Sequence, residues 1–144
     1  MEFKIEKTKN LSNIELIDIM RERIKVFVVE QNCPYQEVDT EDNDALHVLI
    51  KEDKSIVAYT RIIEKEDYIS FGRVLVTETN RNKNYGRKIV QKTIEVIKNQ
   101  YNTRLIRISG QSHLQAFYES FGFECVSEVY LEDNIPHVTL DLNL

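Results

Sequence analysis

Apolar and polar residues alternate in "FKIE" near the N-terminus, the two-residue period of a half-buried strand. The rhythm then lengthens. In "LSNIELIDIMRERIKVFVVEQ", Leu16, Met20, Ile24 and Phe27 recur at helical spacing, while Glu15, Asp18, Glu22 and Lys25 take the opposite side. Ser12 and Glu15 stand in the S-x-x-E order of a capping box and predict where that helix begins. The next stretch, "NCPYQEVDTEDNDA", has a proline, several acids and no period, and reads as a long loop.

Two segments rich in β-branched and aromatic residues follow, "LHVLI" and "SIVAYTRII", with "KEDK" between them as a hairpin turn. "ISFGRVLV" is a further strand. The strongest helical pattern is "NYGRKIVQKTIEVIKNQ". Ile89, Val90, Ile94 and Ile97 share one face, and Arg87, Lys88, Gln91, Lys92, Glu95 and Lys98 face water. "RLIRIS" reads as a strand. "SHLQAFYESFGF" sets Leu114, Phe117, Tyr118 and Phe121 at helical spacing, with Gly122 positioned to end the helix. Two strands close the chain, "HVTLDL" the last. The segment from Ile69 to Ser109 is strand–helix–strand and demands a parallel crossover, whereas the earlier strands can pair as an antiparallel meander. The fold class is therefore α/β with a mixed sheet.

The 144 residues suffice for one hydrophobic core, so the expectation is a single domain over residues 1–144. A formal net charge of −5 weighs against nucleic-acid and membrane-surface binding. Lys and Arg crowd the helix from Lys83 to Lys98, but they are what a solvated helix face needs and are interleaved with Glu95. No signal sequence is read at the N-terminus, and no apolar run approaches the roughly 18 residues that cross a bilayer, so the expected location is the cytoplasm. There the two cysteines, Cys33 and Cys125, are expected as reduced thiols. The cysteines and the three histidines lack the spacing of a zinc site, and no metal is expected.

One stretch invites a chemical reading. "NRNKNYGRK" puts Arg81, Lys83 and Arg87 around Gly86 just where a helix starts. A helix N-terminus carries unpaired N–H groups and partial positive charge, and Gly86 lets a ligand approach the backbone. Anion binding and a plain solvated helix start both fit these residues. Neither GxxxxGK[ST] nor GxGxxG is present, which excludes the P-loop and the dinucleotide turn.

"RNKNYGRKIV" resembles the acetyl-CoA pyrophosphate loop of the GNAT N-acetyltransferase superfamily, [QR]-x-x-G-x-[GA]. Arg81 fills the first position and Gly86 the last, and Asn84 replaces the middle glycine. "HLQAFYESFGF" resembles the second signature of the superfamily. "RIKVFVVEQNCPYQEVD", "GRVLV", "SHLQAFYESFGF" and "VYLEDNIPH" together resemble its ElaA-like branch, over nearly the whole chain.

That resemblance implies the acyl-CoA N-acyltransferase fold: a mostly antiparallel sheet with one splayed parallel strand pair, flanked by helices. It implies acetyl-CoA as donor and an amine, small-molecule or peptide, as acceptor, and it leaves a homodimer open. The pyrophosphate would rest on backbone N–H groups of Asn82, Lys83, Asn84, Tyr85, Gly86 and Arg87, beside Arg81. Backbone groups of Val74, Leu75 and Val76 would bind the pantetheine arm, with a nearby N–H at the developing oxyanion, and Gln111 would offer an amide to the same arm. Tyr118 matches the tyrosine that protonates the CoA sulfur, although its spacing equally suits a packed helix face. His113 is a candidate proton relay or a surface histidine. On the acceptor side, the first helix and the loop after it supply Glu30 and Gln31 as candidate contacts, together with Arg21, Arg23, Tyr35, Glu37, Asp39, Glu41, Asp42 and Asp44. The acids would either attract a cationic amine or remain solvated. Two alternatives stand beside the transferase: a CoA-binding module without turnover, and an acyl-homoserine-lactone synthase, which "RERIKVFVVEQN" also resembles.

Overall fold

The computed structural model describes residues 1–144. The strands are β1 (Glu2–Lys7), β2 (Leu46–Glu52), β3 (Ser55–Glu64), β4 (Ile69–Val76), β5 (Leu105–Gln111), β6 (Glu124–Cys125), β7 (Tyr130–Glu132) and β8 (Ile135–Asn143). The helices are α1 (Asn13–Ile24), α2 (Tyr85–Gln100) and α3 (Gln115–Glu119). The strands form one sheet in the order β1-β2-β3-β4-β5-β8-β6, with β7 paired to β8. Only β4 and β5 are parallel, as the strand–helix–strand segment required. No helix is long and apolar enough to cross a membrane.

Local chemistry explains most boundaries. Ser12 Oγ accepts from the Glu15 N–H, and Glu15 Oε1 accepts from the Ser12 N–H, so the predicted capping box starts α1. The β2–β3 hairpin turns at Asp53 and Lys54, with φ of 49° and 68°. Asp133 and Asn134, at 49° and 66°, turn β7 into β8 in the same way. Positive φ at both central residues is the turn whose twist matches its strands.

Each face of the sheet carries its own core. On one face α2 and α3 cover Val48, Ile50, Ile62, Phe71, Ile106 and Leu140, with Ile89, Val90, Ile97 and Tyr118 among the covering residues. On the other, α1 and the turn after it bring Ile19, Val26 and Phe27 onto Leu49, Tyr59 and Leu75.

Two expectations need correction. The helix predicted through Phe121 is only Gln115–Glu119, preceded by a 3-10 turn at Ser112–Leu114. A glycine at φ +101°, Gly122, takes the chain out into β6. The buried side of α1 also differs from the predicted one: Ile19 and Arg23 are its fully buried residues, and the chain continues as a π-turn over Lys25–Glu30. The polarity of Arg23 hid that face, because its acidic partners lie in the loop beyond the helix.

The sheet opens at its centre. Gly72 pairs with Arg61 and Leu75 with Tyr59, so β4 carries one residue more than β3 over that span. The extra residue makes a bulge at Arg73, whose φ is +50°. From there β4 leaves β5: the parallel pair has a single register point, Ile69 opposite Ile106.

Candidate active site

A cavity of about 420 Å³ fills the gap between β4 and β5. Val74, Gly110, Gln111 and Tyr118 line it, and Gln31, Tyr35, Asp39, Arg61 and Arg73 reach it from the α1 side. A second cleft of about 380 Å³ lies at the start of α2, lined by Val76, Arg81, Asn82, Asn84, Tyr85, Gly86 and Arg87.

The geometry of that second cleft follows from its asparagines. Asn84 sits in the left-handed region, at φ 68° and ψ 16°, as a glycine would, and Asn82 is there too, at φ 64°. Asparagine tolerates that backbone better than other side chains do. Asn84 places no side-chain cap on α2, in contrast to the fully capped α1. The first intrahelical bond runs from the Lys88 N–H to the Asn84 carbonyl, at 3.2 Å. The N–H groups of Tyr85, Gly86 and Arg87 therefore have no protein acceptor and can bind an anion. A Cβ on Gly86 would lie 3.9 Å from Val76 Cγ2 and 4.0 Å from Phe117 Cζ, ordinary contacts, so the fold itself does not require glycine there.

The cations of the loop are differently employed. Arg81 Nε donates to the Val76 carbonyl at 3.0 Å, and Arg81 Nη2 is 2.8 Å from Glu30 Oε1. The Arg87 guanidinium lies 4.7 Å from the Phe121 ring centre, and its Nη2 donates to Ser120 Oγ. Lys83 is exposed and lines neither cavity. Glu30 thus lies beside the second cleft, bound to Arg81, and does not line the larger cavity. The Leu75 side chain is buried in the α1-side core. His113 is exposed on the 3-10 turn, outside both cavities.

Tyr118 is 4% exposed, and burial pushes its phenol up to about 12. The ring packs edge-on against Phe71, Phe117 and Phe123. No protein group hydrogen-bonds its hydroxyl, and the residue lines the larger cavity. A protonated phenol facing that space can donate a proton to an anion formed there.

The acidic loop is not simply solvated. Arg23 Nε donates to Glu37 Oε2 at 2.9 Å and its Nη1 to Asp42 Oδ1 at 2.6 Å, with all three side chains buried. Arg61 pairs with Asp39 at 2.8 Å and Asp42 at 3.1 Å. Arg73 lies 2.8 Å from Glu37 Oε2, and its Nη2 donates to the Glu37 carbonyl. Burial, the largest single influence, would raise Asp42, but the hydrogen bonds from Arg23 and the Asp39 backbone and the charges of Arg23 and Arg61 together outweigh it and hold the carboxyl near 2. Three arginines and three acids therefore neutralise one another. They hold the left-handed Arg73, and with it the bulge that opens the sheet.

Sequence reasoning missed Arg61, Arg73, Ser109, Gly110, Glu132 and His137, all of which line the larger cavity. Their chemistry depends on strand register, which no local motif carries.

Comparison with known proteins agrees with this architecture. A family model described as "Acetyltransferase (GNAT) domain" matches residues 15–144. The protein ElaA of Escherichia coli K12 is 41% identical over 133 residues, 89% of this chain and 87% of that one. The crystal structure of Escherichia coli ElaA superposes with a TM-score of 0.92 at 38% identity, covering 98% of this chain and 99% of the other. An acyl-CoA N-acyltransferase from Pseudomonas aeruginosa gives 0.90 at 34% identity, over 98% and 99% of the two chains. A CoA-dependent acyl-homoserine lactone synthase shares the fold, with a TM-score of 0.82, but only 14% identity over 98% of this chain and 82% of the other.

Proposed function

Because the chain belongs to the GNAT acetyltransferase family, on its ElaA-like branch, we propose that it transfers the acetyl group of acetyl-CoA to a primary amine by direct attack in a ternary complex. The observation that carries this reading is the opened β4–β5 gap, with Tyr118 lining it and the uncapped start of α2 nearby. In this reading the pyrophosphate rests on the free N–H groups of Tyr85, Gly86 and Arg87, with Asn82 and Asn84 shaping the loop. Lys83 adds charge from the exposed rim. Arg81 and Arg87, held by Glu30 and Phe121, stiffen the cradle.

Past Ile69 the edge of β4 that faces β5 has no ladder partner, so the backbone from Val74 to Val76 can pair with the amide-bearing arm of the donor. An N–H at Leu75 or Val76 then meets the charge that develops on the carbonyl oxygen. Gln111, the last residue of β5, faces the same cavity and offers its amide to the arm. As the carbon–sulfur bond breaks, the electron pair leaves with sulfur and the Tyr118 hydroxyl supplies its proton. Gln31 and the walls around Asp39 and Arg61 would receive the amine, from a small molecule or a peptide. Both cysteines are free thiols, which suits a reducing compartment, and we assign the enzyme to the cytoplasm.

The test is an acceptor screen with thiol detection of released CoA, each hit checked by mass spectrometry for a gained acetyl group. CoA release that depends on an added amine supports the reading. Tight acetyl-CoA binding without transfer to any amine would leave a binding module in its place.

A further inference from the structure

Tyr118 supplies a proton to sulfur, but the reaction also needs a group that removes one from nitrogen. Resting on the acetyltransferase reading above, we propose that His137 is that group, with Glu132 as its positioning partner.

Strand register builds the site. His137 on β8 is the ladder partner of Gln111 on β5 and of Tyr130 on β7. Directly opposed residues point to the same face, as do residues two apart on a strand. One face of this corner therefore carries Ser109, Gln111, His137, Thr139, Tyr130 and Glu132. The other carries Gly110, against which the Tyr118 ring lies. His137 and Tyr118 thus approach one cavity from opposite faces of the sheet, through the gap that the β4 bulge opens. An acid at the leaving sulfur and a base at the entering nitrogen need that opposition.

Hydrogen bonds fix the state of the imidazole. Nδ1 lies 2.7 Å from the Ile135 carbonyl, which can only accept, so Nδ1 carries a proton. Neutral His137 therefore has its lone pair on Nε2, which makes no hydrogen bond within the protein. Glu132 Oε2 is 3.5 Å from Nε2, close enough to stabilise the imidazolium once it forms.

Glu132 is itself held. Ser109 Oγ donates to Glu132 Oε1 at 3.0 Å, which commits its single proton. Tyr130 must then donate to Ser109 at 2.6 Å, and Thr139 to Tyr130 at 3.1 Å. Three hydroxyls point in sequence toward one carboxylate and leave its second oxygen for His137. The Tyr130 ring stacks on the imidazole, with centroids 6.4 Å apart.

The step balances. An alkylammonium first gives one proton to His137 Nε2, and the freed lone pair on nitrogen forms its bond to the carbonyl carbon as the carbon–sulfur bond breaks. The second nitrogen proton passes to water, and the Tyr118 proton passes to sulfur. Exchange with solvent returns both side chains to neutrality.

The experiment measures CoA release with a panel of alkylamines, spermidine and lysine methyl ester among them, and with hydroxylamine, which is already neutral at pH 7. His137→Gln should lower kcat for the best alkylamine about 100-fold or more, with the KM for acetyl-CoA within about twofold. Hydroxylamine should be affected much less, and free imidazole should restore part of the rate to His137→Ala. Glu132→Gln changes a half-exposed side chain, tests the same site with little risk to folding, and should lower kcat about tenfold. A His137→Gln enzyme with near-normal kcat, or equal losses on alkylamine and hydroxylamine, would overturn the assignment and leave acetyl transfer standing. A wild-type enzyme that releases no CoA with any of these nucleophiles would overturn the transferase reading, and the role of His137 with it.

Discussion

The ring of Tyr118 lies directly on the backbone of Gly110: a Cβ at Gly110 would stand 2.9 Å from Tyr118 Cε2 and 3.2 Å from Cδ2. No real Cβ tolerates the closer distance, and Leu140 Cδ1, at 3.3 Å, closes the other way out. Gly110 is the seat of the phenol. Gly110→Ala should displace the ring, cost about 1–3 kcal/mol of stability by overpacking, and lower kcat while acetyl-CoA still binds. Tyr118→Phe keeps the ring and removes the proton. It should lower kcat by about 10²-fold or more with acetyl-CoA affinity and melting temperature nearly unchanged. Equal losses of turnover and affinity in Tyr118→Phe would make the residue a packing element only.

Gly86 behaves oppositely, because an added Cβ meets nothing closer than 3.9 Å. Gly86→Asp should hold or raise stability by about 0.3–1 kcal/mol, since a carboxylate suits a helix N-terminus. The same substitution should weaken acetyl-CoA binding, because its charge opposes the pyrophosphate. Thermal melts and titration calorimetry should move in opposite directions. Unchanged affinity would remove the α2 start from the donor site.

Arg23 is fully buried between Glu37 and Asp42. Arg23→Met should cost about 3–5 kcal/mol in urea unfolding, because two carboxylates lose their shared partner in the interior. Against a typical total of about 5–15 kcal/mol, that endangers the fold. Arg23→Lys should fall between, keeping the charge and losing the fork that reaches both acids.

His47 sets the acid limit. It is fully buried, and desolvation, helped by Arg23, takes it from an ordinary 6.5 to about 4. Thr8 Oγ1 donates to the Asp42 carbonyl, so His47 Nε2 must carry the proton toward Thr8, and Nδ1 accepts from the Tyr59 hydroxyl at 2.6 Å. The folded state thus holds a neutral imidazole. Between pH 6.5 and about 4 the unfolded chain binds the extra proton, so stability present above pH 6.5 is lost as pH falls, by about 3 kcal/mol in all. Asp42, held near 2, extends the loss below pH 4. Urea midpoints measured from pH 7 to 4 should fall steadily, and His47→Gln should flatten that slope. An unchanged slope would show that His47 does not carry it.

Much of this was legible in the sequence because it is local. The Ser12–Glu15 box, the 3.6-residue period of α2 and the hairpin at Asp53–Lys54 need only near neighbours. So does the left-handed Asn84, which the residue type anticipates. Arg23 was not legible as a core residue, because its partners arrive 14 and 19 positions later. Nor was α3 foreseen as a short helix: the aromatic spacing persists through Phe121, while the backbone turns early to set Tyr118 on Gly110. His137 gains its neighbours only when β8 inserts beside β5, a long-range choice that alternation in "HVTLDL" does not encode.

The bulge at Arg73 has a consequence for solubility. An unpaired strand edge ordinarily templates a neighbour's strand and seeds aggregation. Here the exposed backbone of β4 lies inside the sheet, between two halves that are already hydrogen-bonded. A foreign strand brings side chains on both faces and meets the turn after α1 on one and α3 on the other. A thin, unbranched, amide-bearing chain meets neither. By placing its vacant inner edges at the bottom of a cleft, the protein keeps unpaired backbone in water yet closed to a strand that carries side chains on both faces.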